Sequence, residues 1–275
     1  MPLKSILVAF SGDPASCTAL QFALRLQQHH TAHVTGVVWH GPVPLESRHR
    51  AFLSRDVATM LVGREDEAAQ RIAAEFAAQV AANGDPARAG FIDLHEMETF
   101  SLPRHARAYD LVVMTRHAAE VGREHAEVRP DVVALRSGRP VITVPDHHSG
   151  QMPSHIALGW DGKRAATRAL GDLLHVLGGA QKVTLVSVAK TKEPQPEAGD
   201  DALAYLARHG IEAEWLHRVP GRGRITQTLL DTCAEIGADM LAMGAYEHSK
   251  FTEDLLGGVT RDILTDARLP VMMSH

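Results

Sequence analysis

The sequence has few cysteines and no long apolar run, and each scarcity excludes a class of protein. Cys17 and Cys233 are the two cysteines in 275 residues, so a small disulfide-stabilised fold is excluded and both are interpreted as small core residues in helical segments. The longest apolar runs, such as 111–114 and 141–144, are far shorter than the roughly 20 residues that a membrane-spanning helix needs. We therefore expect no membrane segment.

Positive charge is not in excess either. The chain has 28 Lys and Arg against 33 Asp and Glu, a formal net charge of -5, which predicts no general affinity for nucleic acid or anionic membranes. Hydrophobic residues make up 45% and charged residues 22%, as in packed globular proteins, and the length favours two domains. Because residues 1–5 lead directly into an apolar strand-like segment without a secretory signal, we expect a cytoplasmic protein.

An internal repeat organises the chain. Similar segments recur in the same order in both halves: 5–12 with 155–162, 109–114 with 238–243, and 139–144 with 269–274. A polar, proline-bracketed stretch at 145–153 separates the two copies. The repeat predicts two domains of similar structure, at 1–145 and 154–275.

Each copy alternates short apolar strands with amphipathic helices, which is typical of parallel strands joined by crossover helices. The first copy predicts strands at 4–10, 33–39, 90–97, 110–115 and 140–144. The second predicts strands at 155–160, 182–188, 211–218, 239–243 and 270–274. A long helix is expected over 65–82, and a helix over 201–208 should end before Gly210. The predicted fold class is therefore α/β, with two doubly wound parallel sheets.

The turns after the first and fourth strands are where open parallel sheets bind ligands. In the second copy the fourth strand is followed by a segment with glycines at both ends. Gly244 would let the chain turn and a ligand approach closely, and Gly257 and Gly258 precede a helix whose free N–H groups attract phosphate, with the Thr260 hydroxyl as a further donor. The same glycines would also serve tight turns and close helix packing in a protein that binds nothing.

This segment resembles the nucleotide-binding loop of the universal stress protein family, G-x2-G-x9-G-[S/T]. Gly244 takes the first position, Glu247 stands where the second glycine belongs, Gly257 takes the third, and Gly258 stands in the Ser/Thr place. A side chain at Glu247 adds a Cβ and a negative charge near the expected phosphates, and both oppose ATP. Either Lys250 and Arg261 supply compensating charge, or Glu247 points outward and helps to hold Mg²⁺.

The resemblance implies further site residues. Asp161 matches the aspartate that holds the adenine or its ribose, and Val188 matches a residue that packs on adenine. Met243 lies at the end of the fourth strand, and Val259 and Thr260 extend the phosphate-binding turn. The implied ligand is ATP or a related adenine nucleotide, with Mg²⁺. Asp161 has an alternative role as a cap for the turn that follows it.

The resemblance extends over essentially the whole chain, once in each half, as in tandem members of the family. It implies two Rossmann-like, adenine nucleotide alpha hydrolase-like domains that form an intramolecular pseudo-dimer, with a further homodimer as an option. The first copy lacks the motif: Ser11 replaces the aspartate, Thr115 and Ala118 replace the glycines, and 124–131 contains no glycine. We expect the first domain to pair with the second rather than bind ATP. Its basic residues indicate either an anion site or a solvated surface: Arg116, His117, Arg123 and Arg129.

The chain lacks recognisable catalytic motifs, which predicts that it is not an enzyme beyond slow incidental ATP hydrolysis. The seventeen histidines raise the hypothesis of a metal site. Their spacing does not support one and no cysteine accompanies them, so no metal ligand is predicted. Two main functions remain open. One is regulation of a stress response through adenine nucleotide binding in the second domain, and the other is a non-nucleotide interaction module acting through protein partners. An ATP-hydrolysing or adenylate-forming enzyme is a third.

Overall fold

A computed structural model describes residues 2–40, 55–95, 102–116, 118–120, 123–176, 182–189, 196–220, 224–245 and 258–275. The elements of the first half are β1 (Ser5–Ala9), α1 (Pro14–His30), β2 (His33–His40), α2 (Arg55–Asn83), β3 (Ala89–His95), α3 (Leu102–Ala106), β4 (Leu111–Thr115), β5 (Ala118–Glu120), β6 (Arg123–Val128), α4 (Pro130–Ser137) and β7 (Val141–Val144). The elements of the second half are β8 (His155–Gly159), α5 (Arg164–Val176), β9 (Lys182–Val188), α6 (Pro196–Arg208), β10 (Glu212–Arg218), α7 (Ile225–Ile236), β11 (Met240–Gly244), α8 (Gly258–Asp266) and β12 (Val271–Ser274).

Ten strands form one sheet in the order β10-β9-β8-β11-β12-β7-β4-β1-β2-β3. Within each half the strands are parallel, and the order in one half mirrors that in the other. The halves meet where β12 and β7 pair antiparallel, with Val271 opposite Thr143 and Met273 opposite Val141. The predicted fold class, two tandem α/β units in an intramolecular pseudo-dimer, is confirmed.

The apolar core lies on both faces of the sheet, and on each face it continues across the two halves. Buried side chains of α1, α2, α5 and α6 cover one face, and those of α3, α4, α7 and α8 cover the other. Because parallel strands are buried on both faces, β1, β4 and β7 are continuous apolar runs rather than alternating ones. Cys233 is buried and Cys17 packs against the core, half-exposed.

Hydrogen bonds beyond the strand pairing also join the halves. The buried ring of His30, at the end of α1, places Nε2 2.8 Å from the carbonyl oxygen of Val176, at the end of α5. Arg116, directly after β4, donates from its guanidinium to the carbonyl of Ala267, directly after α8, at 3.0 Å. The contact between the halves is therefore polar at its margins and apolar in its centre.

Each of the ten predicted strands agrees with an observed strand to within two residues at each end. Helix α2 is longer than predicted, beginning at Arg55 rather than 65. The antiparallel pair of β5 and β6 was not predicted, because β6 reads Arg-Glu-His-Ala-Glu-Val and lacks an apolar alternation. In the described ranges, no helix has the length and apolar character to cross a bilayer.

Candidate functional site

Three neighbouring strands of the second half bring the predicted residues to one edge of the sheet. Val188 is the last residue of β9, Asp161 follows β8, and Met243 and Gly244 end β11. These strands are adjacent in the order β9-β8-β11, so their carboxyl ends lie side by side. The helix α8 begins at the same edge, because it follows β11. Gly257, Glu247 and Lys250 lie outside the described residues.

The strand register shows which face of the sheet these side chains occupy. Gly159, the last residue of β8, is level with Val186 of β9 on one side and with Met243 of β11 on the other. Val186 and Met243 belong to the core under α7 and α8, and Val188 packs against that core. Val188 and Met243 therefore provide apolar surface on the α7 and α8 side of the edge.

Asp161 is held by the turn that follows β8. Its Oδ1 accepts a hydrogen bond from the backbone N–H of Lys163 at 3.0 Å, and its Oδ2 lies 3.8 Å from Nζ of the same lysine. Gly162 adopts a left-handed conformation with φ +71°, which a glycine adopts without strain. The Asp161 side chain is still 49% exposed. It caps the turn, as the alternative interpretation holds, and keeps accessible carboxylate surface at the edge.

Gly244 has a packing role in this structure. A methyl group added at its Cα would lie 2.6 Å from the backbone nitrogen of Ala166 and 2.7 Å from Cβ of Ala165. Both residues belong to the first turn of α5, on the face of the sheet opposite to α7 and α8. The glycine therefore lets β11 and α5 approach each other closely, and the contact on this side is protein rather than open space.

The start of α8 has the properties of an anion-binding helix end. Its first turn contains no acidic residue, and a Cβ at Gly258 would meet no atom of the described residues within 4 Å. Val259 is exposed, Thr260 is buried, and Arg261 is exposed. Asp262, in the next turn, is bound by Arg224 at 2.9 Å. The helix dipole and free N–H groups of this turn favour a negative group.

The sequence model of the universal stress protein family matches residues 152–275, the half that carries this edge. Residues 152–275 therefore form a universal stress protein domain. A universal stress protein from Archaeoglobus fulgidus superposes with a TM-score of 0.75 at 16% identity, over 98% of this chain and 95% of that one. A functionally unknown protein from Pseudomonas aeruginosa superposes with a TM-score of 0.58 at 14% identity, over 99% and 92%. These likenesses show the shared fold over both halves. No curated protein matches the sequence.

The first half differs from the universal stress protein domain at the corresponding helix start. There α4 begins at Pro130, and the fully buried carboxylate of Asp131 accepts hydrogen bonds from Arg129 and from the backbone N–H of Val132. A carboxylate of the chain itself thus stands at this helix start. Because Arg129 binds Asp131 and Arg116 binds a backbone carbonyl, neither supports the anion hypothesis for the first half.

The turn after β1 differs in the same way. Ser11 occupies the place of Asp161, and its hydroxyl donates to Asp13. Asp13 is the N-cap of α1 and accepts from the backbone N–H of Ser16 at 2.9 Å. This carboxylate therefore caps the helix, and the exposed carboxylate of Asp161 in the second half has no counterpart at the equivalent position.

One residue at the edge was missed by sequence reasoning. Thr226, in the first turn of α7, is a polar residue in line with Leu229, Leu230 and Cys233, which pack on the core. That break in an apolar helix face was the available signal.

For metals, the described part of the chain holds no group of three His, Cys, Asp or Glu side chains placed to share an ion.

Proposed function

We propose that this universal stress protein is a regulatory protein that binds ATP or a related adenine nucleotide at the edge formed by β8, β9, β11 and α8. The observation that supports the proposal is the convergence, at one sheet edge, of an accessible carboxylate, an apolar wall and a helix start whose first turn has no acidic residue. A nucleotide presents the matching series of groups: sugar hydroxyls, an apolar base and phosphates.

Each part of the site has a separate task in this proposal. Asp161 accepts hydrogen bonds from the ribose or the base, and Val188 and Met243 pack on the adenine ring. The backbone of Gly257 and Gly258, with the turn that contains Val259 and Thr260, binds the phosphates, and Mg²⁺ accompanies them in solution. Gly244 keeps β11 close to α5 and so sets the position from which the ligand-binding segment departs.

The local charge also supports an anionic ligand. Lys163 and Arg261 are exposed near the turn after β8 and in the first turn of α8, while the carboxylate of Asp262 is paired with Arg224. Lys163 is paired with Asp161, and Arg261 is exposed to solvent in the first turn of α8. Their attraction for phosphate should weaken as salt is raised.

The action proposed is regulatory rather than catalytic. Asp161 is tied to its own turn, so it is poorly placed to serve as a base that activates water for attack on a distant phosphate. We expect phosphate release from ATP to stay near background. Release well above background that is lost in Asp161→Ala would identify an enzyme instead.

Isothermal titration with Mg-ATP tests the proposal. Purified, nucleotide-stripped chain should bind a single ATP, and Asp161→Ala should weaken binding by about tenfold to a hundredfold, since hydrogen bonds to charged groups contribute about 1.5–3 kcal/mol. Asp85→Ala is a matched control. Asp85 is also 49% exposed, accepts from the N–H two residues on at 3.0 Å and lies 3.5 Å from a basic side chain, but it belongs to the first half.

The departure from the family's loop motif at Glu247 provides a second test of nucleotide binding. Glu247→Gly restores the family's glycine and should tighten ATP binding. If neither the native chain nor this variant binds up to millimolar ATP, the nucleotide proposal is overturned and the interaction module that acts through protein partners takes its place.

A further inference from the structure

Thr226 carries a buried hydroxyl without a hydrogen-bond partner. The residue is 3% exposed, and its Oγ1 finds no donor or acceptor in the part of the chain that the structure describes. The other threonines of α7 are satisfied within the helix: Thr228 donates to the carbonyl of Arg224 at 3.4 Å and Thr232 to that of Thr228 at 2.7 Å. A buried, unpaired hydroxyl is costly, and the described part of the chain provides no partner for that of Thr226.

The helix geometry places this hydroxyl at the candidate site. Leu229 lies over the last residue of β8, because a Cβ at Gly159 would be 3.6 Å from its Cδ2. Helix α7 follows β10 and runs back across the sheet, so its first turn lies at the carboxyl edge. Thr226 precedes Leu229 by three residues, about 4.5 Å along the helix, and therefore lies nearer than Leu229 to the carboxyl edge of the sheet.

The neighbouring strand reaches the same level. Val186 is in register with Gly159, and Val188 is two residues further, about 6.6 Å along the strand. Both side chains belong to the α7 face. Thr226 and Val188 thus extend beyond Gly159 by similar distances on the same face of the sheet, and α7 packs against β9. A group bound against Val188 lies within reach of the first turn of α7.

The first turn of α7 is also uncapped by side chains. Its N-cap residue, Arg224, makes no side-chain cap hydrogen bond, and the turn contains no acidic residue. Free backbone N–H groups and the helix dipole favour an acceptor there. The Thr226 hydroxyl adds a group that both donates and accepts, which suits a neutral polar partner such as a sugar hydroxyl or a ring nitrogen.

We propose that Thr226 is a ligand-contacting residue whose hydroxyl hydrogen-bonds the nucleoside part of the bound adenine nucleotide. The inference rests on the proposed function and extends it to a residue outside the glycine-containing loop. The nucleoside is preferred to the phosphates because Thr226 lies on the same face of the sheet as Val188, which the proposed function places against adenine, whereas phosphate is expected at the start of α8. Thr226 then contributes to selectivity for the sugar and base.

Titrations with Mg-ATP and with adenosine, on four chains, test this role. Thr226→Val keeps the shape and removes the hydroxyl, and it should weaken both ligands by about fivefold to tenfold, the usual effect of a neutral hydrogen bond. Thr226→Ser keeps a hydroxyl and should bind within about twofold of native. Thr228→Val is the control, because that hydroxyl bonds to its own helix, and its affinity should equal that of the native chain.

The Tm of the ligand-free chains distinguishes a structural role of Thr226 from ligand contact. Thr226→Val should be at least as stable as native, since it removes an unpaired buried hydroxyl; a clear fall in its Tm would show that the hydroxyl is structural and overturn the inference. Equal affinity of Thr226→Val and native would also overturn it while leaving nucleotide binding intact. Weakening of ATP alone, with adenosine unchanged, would overturn the assignment to the nucleoside. If the native chain binds neither ligand, the proposed function falls and the inference with it.

Discussion

Replacement of Gly244 by alanine should destabilise the fold through a backbone contact at the edge of the sheet. The added methyl group would lie 2.6 Å from the nitrogen of Ala166 and 2.7 Å from Cβ of Ala165. Carbon atoms in contact normally lie about 3.5–4.0 Å apart, so β11 and α5 must separate by about 1 Å. Since the opposing atoms are mostly backbone, a change of side-chain rotamer cannot relieve the contact.

The expected cost can be estimated from these distances. Overpacking of a close-packed core costs about 1–3 kcal/mol, and a rigid backbone neighbour places Gly244→Ala in the upper part of that range. The loss of chain entropy in the unfolded state returns about 0.4–1 kcal/mol. The net loss in free energy of unfolding should be about 2 kcal/mol.

Denaturant unfolding of Gly244→Ala beside Gly258→Ala measures this effect. A Cβ at Gly258 would meet no atom of the described residues within 4 Å. Alanine is also favoured over glycine in a helix by about 0.5–1 kcal/mol. The Gly258→Ala control should therefore unfold at or above the native midpoint. If Gly244→Ala unfolds at the native midpoint, the close approach of β11 and α5 is not a constraint, and the packing role assigned to Gly244 is refuted.

Three further predictions concern other parts of the fold. Gly199→Ala should lower the free energy of unfolding by about 1–3 kcal/mol and shift tryptophan fluorescence, because its methyl would lie 2.5 Å from Cδ2 of Trp215; unchanged emission and midpoint would contradict this. Burial raises the pKa of the Cys233 thiol to about 12, so it should react with a thiol reagent at pH 8 only as fast as the chain opens, and rapid labelling of the native state would refute it. Burial lowers the pKa of His30, so its contribution to stability is present above its ordinary pKa of about 6.5 and is lost as pH falls through the lowered value. Between pH 7 and 5, the free energy of unfolding should therefore fall less in His30→Gln than in the native chain, as measured by denaturant titrations. Equal falls would show that protonation of His30 does not contribute to the pH dependence.

The fold was predictable from the sequence because its signals are local and repeated. The short apolar runs and the glycine turns recur in both copies, and a recurring pattern of parallel strands and crossover helices restricts the topology strongly. The pair of β5 and β6 was not predictable, because β5 is only three residues long and β6 has no apolar alternation.

The candidate site was predictable in part. Asp161, Val188 and Met243 are implied by the resemblance to the universal stress protein family, and the sheet order brings their strand ends together. The packing of Gly244 on α5 could not be predicted, because it depends on how closely a helix distant in sequence approaches the strand. Thr226 was missed because a single threonine in an apolar helix face normally returns its hydroxyl to the helix backbone, as Thr228 does.

The antiparallel pairing of β7 with β12 has a consequence for how the two halves can diverge. In a symmetric assembly of two identical chains every substitution appears in both subunits, so a residue that blocks one site blocks its twin as well. Here the partner is part of the same polypeptide, and its local concentration does not depend on how much protein is present. The first half can therefore carry the buried Asp131 at its helix start while the second half leaves the equivalent turn without an acid. Because the halves are covalently linked, one half can serve mainly to complete the shared sheet while the other retains the proposed nucleotide site.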